Sequence, residues 1–352
     1  MDKIYGIIVV SSTKTPANGM NKVVLVANEH LVKKDVIARI VTLNSLCDFL
    51  CFPMFYLYCA LRMKSLRPSF VVFNSLASLN VQNRYGLLVA RLLSKLAVMI
   101  YIYWHETSYV FEKEDNLNRD SMKAIDEFIG EQPVFHLAVS GACADYLRKR
   151  YGDIKVKTIY NCTDMPDVDN VTIGPPVSPP MVMNIASVQD RKGPDLFVET
   201  AQKVIEKHET VEFVWVGGGQ DLGKWQDRMK RDSLQHRIKF IGSVEPGSAL
   251  LRFASVFFLS SRDDPFPLSV LEAMALGKTV IAFDVGGAPE ALLDGGIVLP
   301  AFDTERAAQV VLEEICKPGE GLINQYAHER YYENFTPQKF ADRLSSVLMK
   351  NA

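Results

Sequence analysis

The stretch SSRDDPFPLSVLEAMALGKTVIAF, Ser260 to Phe283, decides the reading of this 352-residue chain. It leaves an apolar run (SVFFLS, 255–260), turns through Asp263, Asp264 and Pro265, and continues as LSVLEAMALG, whose composition and spacing are helical and which Gly277 ends. A second strand-like run, KTVIAF (278–283), follows. Strand, helix and strand in this order form the unit from which parallel sheets wrapped by helices are built. Two acids stand out within it. Asp264 is expected at the helix entrance, and Glu272 should lie roughly 12 Å further along the axis on the same side, because positions i and i+8 share a face.

The same alternation extends in both directions. Towards the start, strands are expected at 4–10, 36–43, 70–74, 98–103, 135–140 and 155–160; further strands are expected at 181–187, 211–217, 237–242, 255–260, 278–283 and 296–300. Helical segments lie between most of them. Texture breaks at MPDVDNVTIGPPVSPP (165–180), which has no apolar period and is rich in proline, as expected of a linker. The expected organisation is a Rossmann-like domain over 1–165, a Pro-rich linker over 166–180, a second Rossmann-like domain over 181–333 and a C-terminal helix over 334–352 that packs back on the first domain. Phe340, Leu344, Val347 and Leu348 form that helix's apolar stripe. Two doubly wound domains of this kind place the carboxyl ends of their strands towards a shared interdomain cleft, which is where such sheets bind ligands.

Composition narrows the function classes. The chain is 48% hydrophobic and 23% charged, close to the globular average, which excludes a disordered or fibrous protein. Lys plus Arg number 39 against 41 Asp plus Glu, so there is no overall positive field to hold nucleic acid. Residues 1–165 carry 20 basic and 15 acidic side chains, leaving 19 and 26 for the rest. This asymmetry suits a first half facing an anionic membrane surface, and it equally suits drift of surface charge. The six cysteines (Cys47, Cys51, Cys59, Cys143, Cys162, Cys316) form no CxxC pair, and the opening MDKIYGIIVV reads as a strand and not as a leader, so a cytoplasmic location is expected, with peripheral contact at the inner membrane face left open. The apolar stretch Leu46 to Lys64 contains Asp48 and Pro53, which favours a buried or interfacial helix over a membrane span.

A nucleotide sugar is long enough to span the expected separation of the two acids. Its sugar hydroxyls would meet Asp264, its diphosphate the amides of Leu268 and Ser269 in the first helical turn, and its ribose diol Glu272. In the plainer alternatives Asp264 only caps the helix and Glu272 lies on a solvated face. The second is weak, because Leu271, Ala273, Met274 and Ala275 surround Glu272 and an unpaired carboxylate there is costly.

The segment resembles the acid-x7-Glu signature of the retaining glycosyltransferases of family 4, whose architecture is GT-B, and the resemblance extends along the chain. Lys192 and Gly193 match the Lys-Gly that follows the first strand of the family's second domain, and His105 in YWHE (103–106) matches its first-domain histidine. Asn161 and Asp164 in YNCTD (160–164) match the segment before the linker. FVWVGGG (213–219), FIGSV (240–244), which contains Gly242, and DVGGAPEALLDGG (284–296) come in the family's order. The resemblance assigns catalytic roles to Asp264, His105, Lys192 and Arg191, and donor binding to Gly19, Ser187, Gly242, Leu268, Ser269 and Glu272. It implies no metal and no cofactor, since the leaving phosphate is thought to take the acceptor's proton on the same face of the sugar.

There are departures. Asp264 stands where the family usually has Glu, although DDPFP resembles a known variant; Pro267 replaces a common Gly, so phosphate and sugar depend more on the amides of Leu268 and Ser269. Ser187 occupies the place of the family's Arg, with Arg191 as the candidate replacement. Cys162 replaces a Gly. Asn161 and Asp164 are assigned to hinge-side structure, and Glu290 to helix capping or ribose-side support. His105 is placed to donate to the sugar or to a neighbouring carbonyl, or else is structural. Gly19 opens a helix near the diphosphate or the acceptor, or is a plain turn. Asp167-Val168-Asp169 spells a metal-binding DxD but lies in the linker, Gly217 to Gly219 do not make GxGxxG, and HETSY (105–109) lacks a second zinc-binding His.

The expected protein is a retaining glycosyltransferase of polysaccharide or surface-glycan assembly, moving a hexose-type sugar from a UDP- or GDP-sugar to a hydroxyl of a glycan or lipid-linked glycan. The alternatives are a GT-B nucleotide-sugar epimerase and a non-catalytic glycan-binding or partner subunit. Base, sugar, acceptor, linkage and oligomeric state are not legible.

Overall fold

Continuous apolar runs such as FVVFN and VFFL suit strands covered on both faces, and β3 (Phe70–Asn74) and β10 (Val256–Leu259) are buried at every residue. The computed structural model describes residues 3–10, 19–41, 68–75, 85–106, 119–152, 154–165, 179–317 and 324–351. The linker over 166–178, including Asp167 and Asp169, and the stretch Leu46 to Lys64 lie outside them. The chain divides into two compact units, Met1–Asp164 with Thr336–Ala352, and Met165–Phe335.

The first unit contains, besides β3, the strands β1 (Ile4–Val9), β2 (Val36–Val41), β4 (Met99–Trp104), β5 (Val134–Ala138) and β6 (Val156–Thr158). Between them run α1 (Gly19–Val32), α2 (Tyr85–Lys95), α3 (Arg119–Glu131) and α4 (Gly141–Tyr151). Sheet order is β2-β1-β3-β4-β5-β6, parallel throughout. Ser140 caps α4, its hydroxyl accepting the Cys143 amide at 3.1 Å.

The second unit repeats the plan with β7 (Met181–Ile185), β8 (Glu212–Val216), β9 (Ile238–Phe240), β10, β11 (Thr279–Phe283) and β12 (Ile297–Leu299). Its helices are α5 (Pro194–Ile205), α6 (Leu222–Arg231), α7 (Leu268–Ala275), α8 (Ala288–Leu292), α9 (Thr304–Ile315) and α10 (Gln325–Asn334). The order is β12-β11-β10-β7-β8-β9, again parallel. Its core is aromatic: the Phe197 ring meets Phe213 at 5.5 Å and Trp215 at 5.3 Å, and Phe258 meets Phe283 at 5.5 Å. All twelve strands expected from sequence are present, with each end within two residues of the expected one. Both sheets are the doubly wound parallel sheets expected of GT-B.

The last helix, α11 (Pro337–Asn351), belongs to the first unit. It buries Phe340, Ala341, Leu344 and Leu348. His30 of α1 bonds Gln338 at 2.8 Å, Lys34 pairs with Asp342 at 2.6 Å, and the Phe340 ring lies 6.0 Å from that of Tyr103. Among the described residues, no helix is long and apolar enough to cross a membrane.

Candidate functional site

In the second sheet the order reverses direction between β10 and β7: the chain builds outward from β7 through β8 to β9, and from β10 through β11 to β12. At such a switch point the connections from two adjacent strands run to opposite faces of the sheet, and ligands of such sheets bind at the strands' carboxyl ends there. The loop leaving β7 carries Ser187, Arg191 and Lys192. The loop leaving β10 carries Asp263 and Asp264.

These loops are fastened to one another. Asp190–Lys192 form a 3-10 turn ended by Gly193, whose φ of +67° is left-handed. A Cβ on Gly193 would stand 2.1 Å from the Ser260 carbonyl oxygen, so only glycine lets the two backbones meet. The Ser260 hydroxyl donates to the Lys192 carbonyl at 3.2 Å and the Arg262 amide to the Arg191 carbonyl at 2.8 Å.

Side chains then pair across the seam. The Lys192 ammonium contacts the Asp264 carboxylate, with side chains 13% and 10% exposed. Arg191 lies 3.7 Å from the Asp263 carboxylate and 3.4 Å from its carbonyl oxygen. Burial lowers the Lys192 pKa, as does neighbouring Arg191, while Asp264 and Asp263 act against that fall. From the other side, the Gly287 amide donates to the Asp264 carbonyl at 2.9 Å. Gly286, at φ +56°, comes so close that a Cβ there would lie 2.0 Å from the same oxygen.

Asp264 is not at the helix entrance. The chain bends at Pro265 and Phe266, Pro267 is extended and precedes α7, and the helix begins at Leu268. Two prolines explain the shift: Asp264 and Phe266 each precede one, and a residue before proline is held out of the α region. The helical i, i+8 spacing to Glu272 therefore does not apply, and Asp264 does not cap. Pro267 supplies no side-chain cap, so the amides of Leu268 and Ser269 begin α7 without one, and both residues are half-buried. Glu272 lies mid-helix and is buried, among the buried run Val270 to Ala275, and not on a solvated face. Ser187 is exposed just beyond β7. Gly242 follows β9 with φ +79° and accepts the Gly217 amide at 2.8 Å. Glu290 is in α8, where its carbonyl accepts Arg330 at 2.7 Å.

In the first unit, Gly19 is the first residue of α1. His105 follows β4 and is buried; its Nε2 lies 3.1 Å from the Asn74 side-chain oxygen at the end of β3. In the tautomer that matches an accepting amide oxygen, Nε2 carries the proton. Burial lowers the ring's pKa to about 3, so His105 is neutral at physiological pH and presents the Nδ1 lone pair. Asn161 accepts the Tyr103 hydroxyl at 3.1 Å and is buried, whereas Asp164 is exposed. The structure thus brings together Arg191, Lys192, Asp263 and Asp264. Sequence reasoning misses Asn74, Arg262 and Asp195, although Arg262 stands directly before the two acids.

Comparison with known proteins bears on the second unit's sequence and on the fold of the whole chain. Residues 179–315 match the family described as Glycosyl transferases group 1. The lipopolysaccharide core biosynthesis mannosyltransferase LpcC of Rhizobium leguminosarum bv. viciae is 29% identical over 172 residues, 46% of this chain and 48% of that protein. A phosphatidylinositol N-acetylglucosaminyltransferase component of Arabidopsis thaliana is 28% identical over 171 residues, 48% of this chain and 38% of that protein. The chain matches less than half the length of the curated relatives similar to it. Among solved structures, sucrose-phosphate synthase from Thermosynechococcus elongatus superposes with a TM-score of 0.75 at 16% identity, over 99% of this chain and 98% of that one. Anabaena HepE, solved in complex with UDP-glucose, gives 0.73 at 15% identity, over 98% and 99%. Residues 179–315, less than half of the chain, are thus similar to the group 1 glycosyl transferases, in a chain whose two units carry the doubly wound parallel sheets of the GT-B fold.

Proposed function

We propose that the chain is a retaining glycosyltransferase that moves a hexose-type sugar from a UDP- or GDP-sugar to a hydroxyl of a glycan or lipid-linked glycan, without a metal. The observation that carries the reading is the pairing of Arg191 and Lys192 with Asp263 and Asp264 at the switch point, directly before the uncapped start of α7. Breaking the anomeric C–O bond leaves an oxocarbenium-like sugar and a diphosphate whose charge grows, so catalysis requires positive groups that bind that charge more tightly as it develops. Arg191, Lys192 and the amides of Leu268 and Ser269 provide them.

The ion pairs then act as an exchange. An incoming diphosphate draws the Lys192 ammonium away from Asp264, and the released carboxylate accepts hydrogen bonds from the sugar hydroxyls. Glu272 takes the ribose diol. As the C1–O bond to phosphate breaks, the acceptor oxygen bonds C1 on the same face and passes its proton to the departing phosphate oxygen. His105 offers an acceptor to a sugar or acceptor hydroxyl. The relatives' names fit this class: one solved neighbour holds UDP-glucose, and one relative is named for transfer to phosphatidylinositol.

Incubation with a panel of UDP- and GDP-sugars tests the reading. Slow release of free nucleoside diphosphate is the expected result. An interconverted sugar would make the protein an epimerase, and absence of both binding and turnover would make it a non-catalytic subunit.

A further inference from the structure

Beyond the two pairs at the site, Arg262 makes two further ion pairs across the same seam, one with Asp195 and a longer one, at 3.6 Å, with the Asp190 carboxylate. Arg262 takes the Asp195 carboxylate with both terminal nitrogens, Nη1 to Oδ1 at 2.7 Å and Nη2 in contact with Oδ2. The same Nη1 also donates to the Asp190 carbonyl at 2.9 Å, and the Arg262 amide donates to the Arg191 carbonyl. One residue of the β10 loop thus bonds to Asp190, Arg191 and Asp195, which begin, form and follow the turn carrying Arg191 and Lys192. Burial acts to raise the Asp195 pKa, and hydrogen bonding and charge from Arg262 more than reverse this, leaving the carboxyl below its ordinary range.

The turn needs such an anchor. It is three residues long, carries two adjacent cations, and its Asp190 side chain is 76% exposed. The pairs made by Arg191 and Lys192 are the ones a bound anion would take over, so they cannot hold the turn while the site is occupied. The Arg262–Asp195 pair lies at the start of α5 with a planar two-bond geometry that fixes orientation as well as distance.

We infer that Arg262 and Asp195 are positioning residues: their paired side chains hold the Asp190–Lys192 turn so that Arg191 and Lys192 remain aimed at a diphosphate after these have released Asp263 and Asp264. The inference rests on the proposed reading of the site as a nucleotide-sugar donor site. A rigid fork explains why a Lys at 262, which keeps the charge but loses the geometry, should not substitute fully.

The test is binding of UDP and GDP, and of uridine and guanosine, to the full chain and to its R262K, R262Q, D195N and D195E variants, with thermal unfolding as the check on folding. For R262Q and D195N, affinity for the nucleoside diphosphate should fall about ten-fold or more, of the order expected when charge-assisted hydrogen bonds are weakened, while nucleoside affinity stays within about two-fold. R262K and D195E should fall between these and the wild type. Equal loss for nucleoside and nucleoside diphosphate, or no loss for either in folded variants, would overturn the positioning role. If R262Q does not fold, the nearly isosteric D195N decides. A wild-type chain that binds neither UDP nor GDP would remove the donor-site reading itself and this inference with it, an outcome distinct from binding that the variants leave unchanged.

Discussion

Lys192 and Asp264, 72 positions apart in sequence, neutralise one another in a place nearly closed to solvent. Removing one member of a buried pair strands the other charge, which typically costs about 3–5 kcal/mol. Lys192→Met should therefore lower the free energy of unfolding in urea by an amount of this order and should also weaken nucleoside diphosphate binding. Asp264→Asn should depress turnover more than nucleotide binding. Equal loss of both for Asp264→Asn would remove its assignment to the sugar.

Glu272 is placed inside the helix whose amides are assigned to the diphosphate. Glu272→Ala should weaken binding of the free nucleotide by more than about 1 kcal/mol, measured by calorimetry. Unchanged affinity would count against the ribose role.

Gly286 reaches the backbone of Asp264 with a positive φ, and a Cβ has no room there. Gly286→Ala should cost about 1–3 kcal/mol of stability from backbone strain and should move Asp264. Turnover should drop well beyond what the fraction of unfolded protein explains; a variant of normal activity and stability would show that the loop tolerates displacement.

Two buried histidines make stability depend on acid. Burial depresses the pKa of His105 to about 3 and of His136 to about 4, against 6.5 when unfolded. The folded state thus refuses protons that the unfolded state accepts. Their contribution is complete above about pH 6.5 and declines as pH falls towards 4, by ~1.4 kcal/mol per pH unit for each ring. Urea unfolding at pH 7, 6 and 5 should show this decline, and His136→Gln should remove about half of it. Stability unchanged between pH 7 and 5 would contradict the burial of these rings in neutral form.

The cations and amides proposed for the leaving diphosphate imply that EDTA leaves transfer intact. Abolition by chelation and recovery with a divalent cation would reinstate a metal.

Strand positions are legible in the sequence because each is a short apolar run bounded by Gly, Pro or polar residues, and sheet neighbours impose only hydrophobicity and β-branching on it. The second acid of the signature is legible for a related reason: a carboxylate amid VLEAMA has few structural uses. The start of α7 differs from the expectation although the information is present, since the prolines of DPFP bar the helix from beginning before Pro267. Arg262 and Asp195 escape a sequence reading because their pairing depends on two loops meeting across a sheet, which periodicity does not encode. The hydrogen bond from His105 to Asn74 escapes it for the same reason, joining the ends of adjacent strands 31 positions apart.

The return of α11 to the first unit makes that unit discontinuous in sequence, whereas Met165–Phe335 is one uninterrupted run. A dissection of the protein must respect this asymmetry. The contiguous unit corresponds to a single fragment, but a fragment stopping at Asp164 would lack α11 and expose apolar residues, Val24 of α1 among them, that line one cavity with Phe340 and Leu344, unless the residues from Thr336 onward were spliced to it.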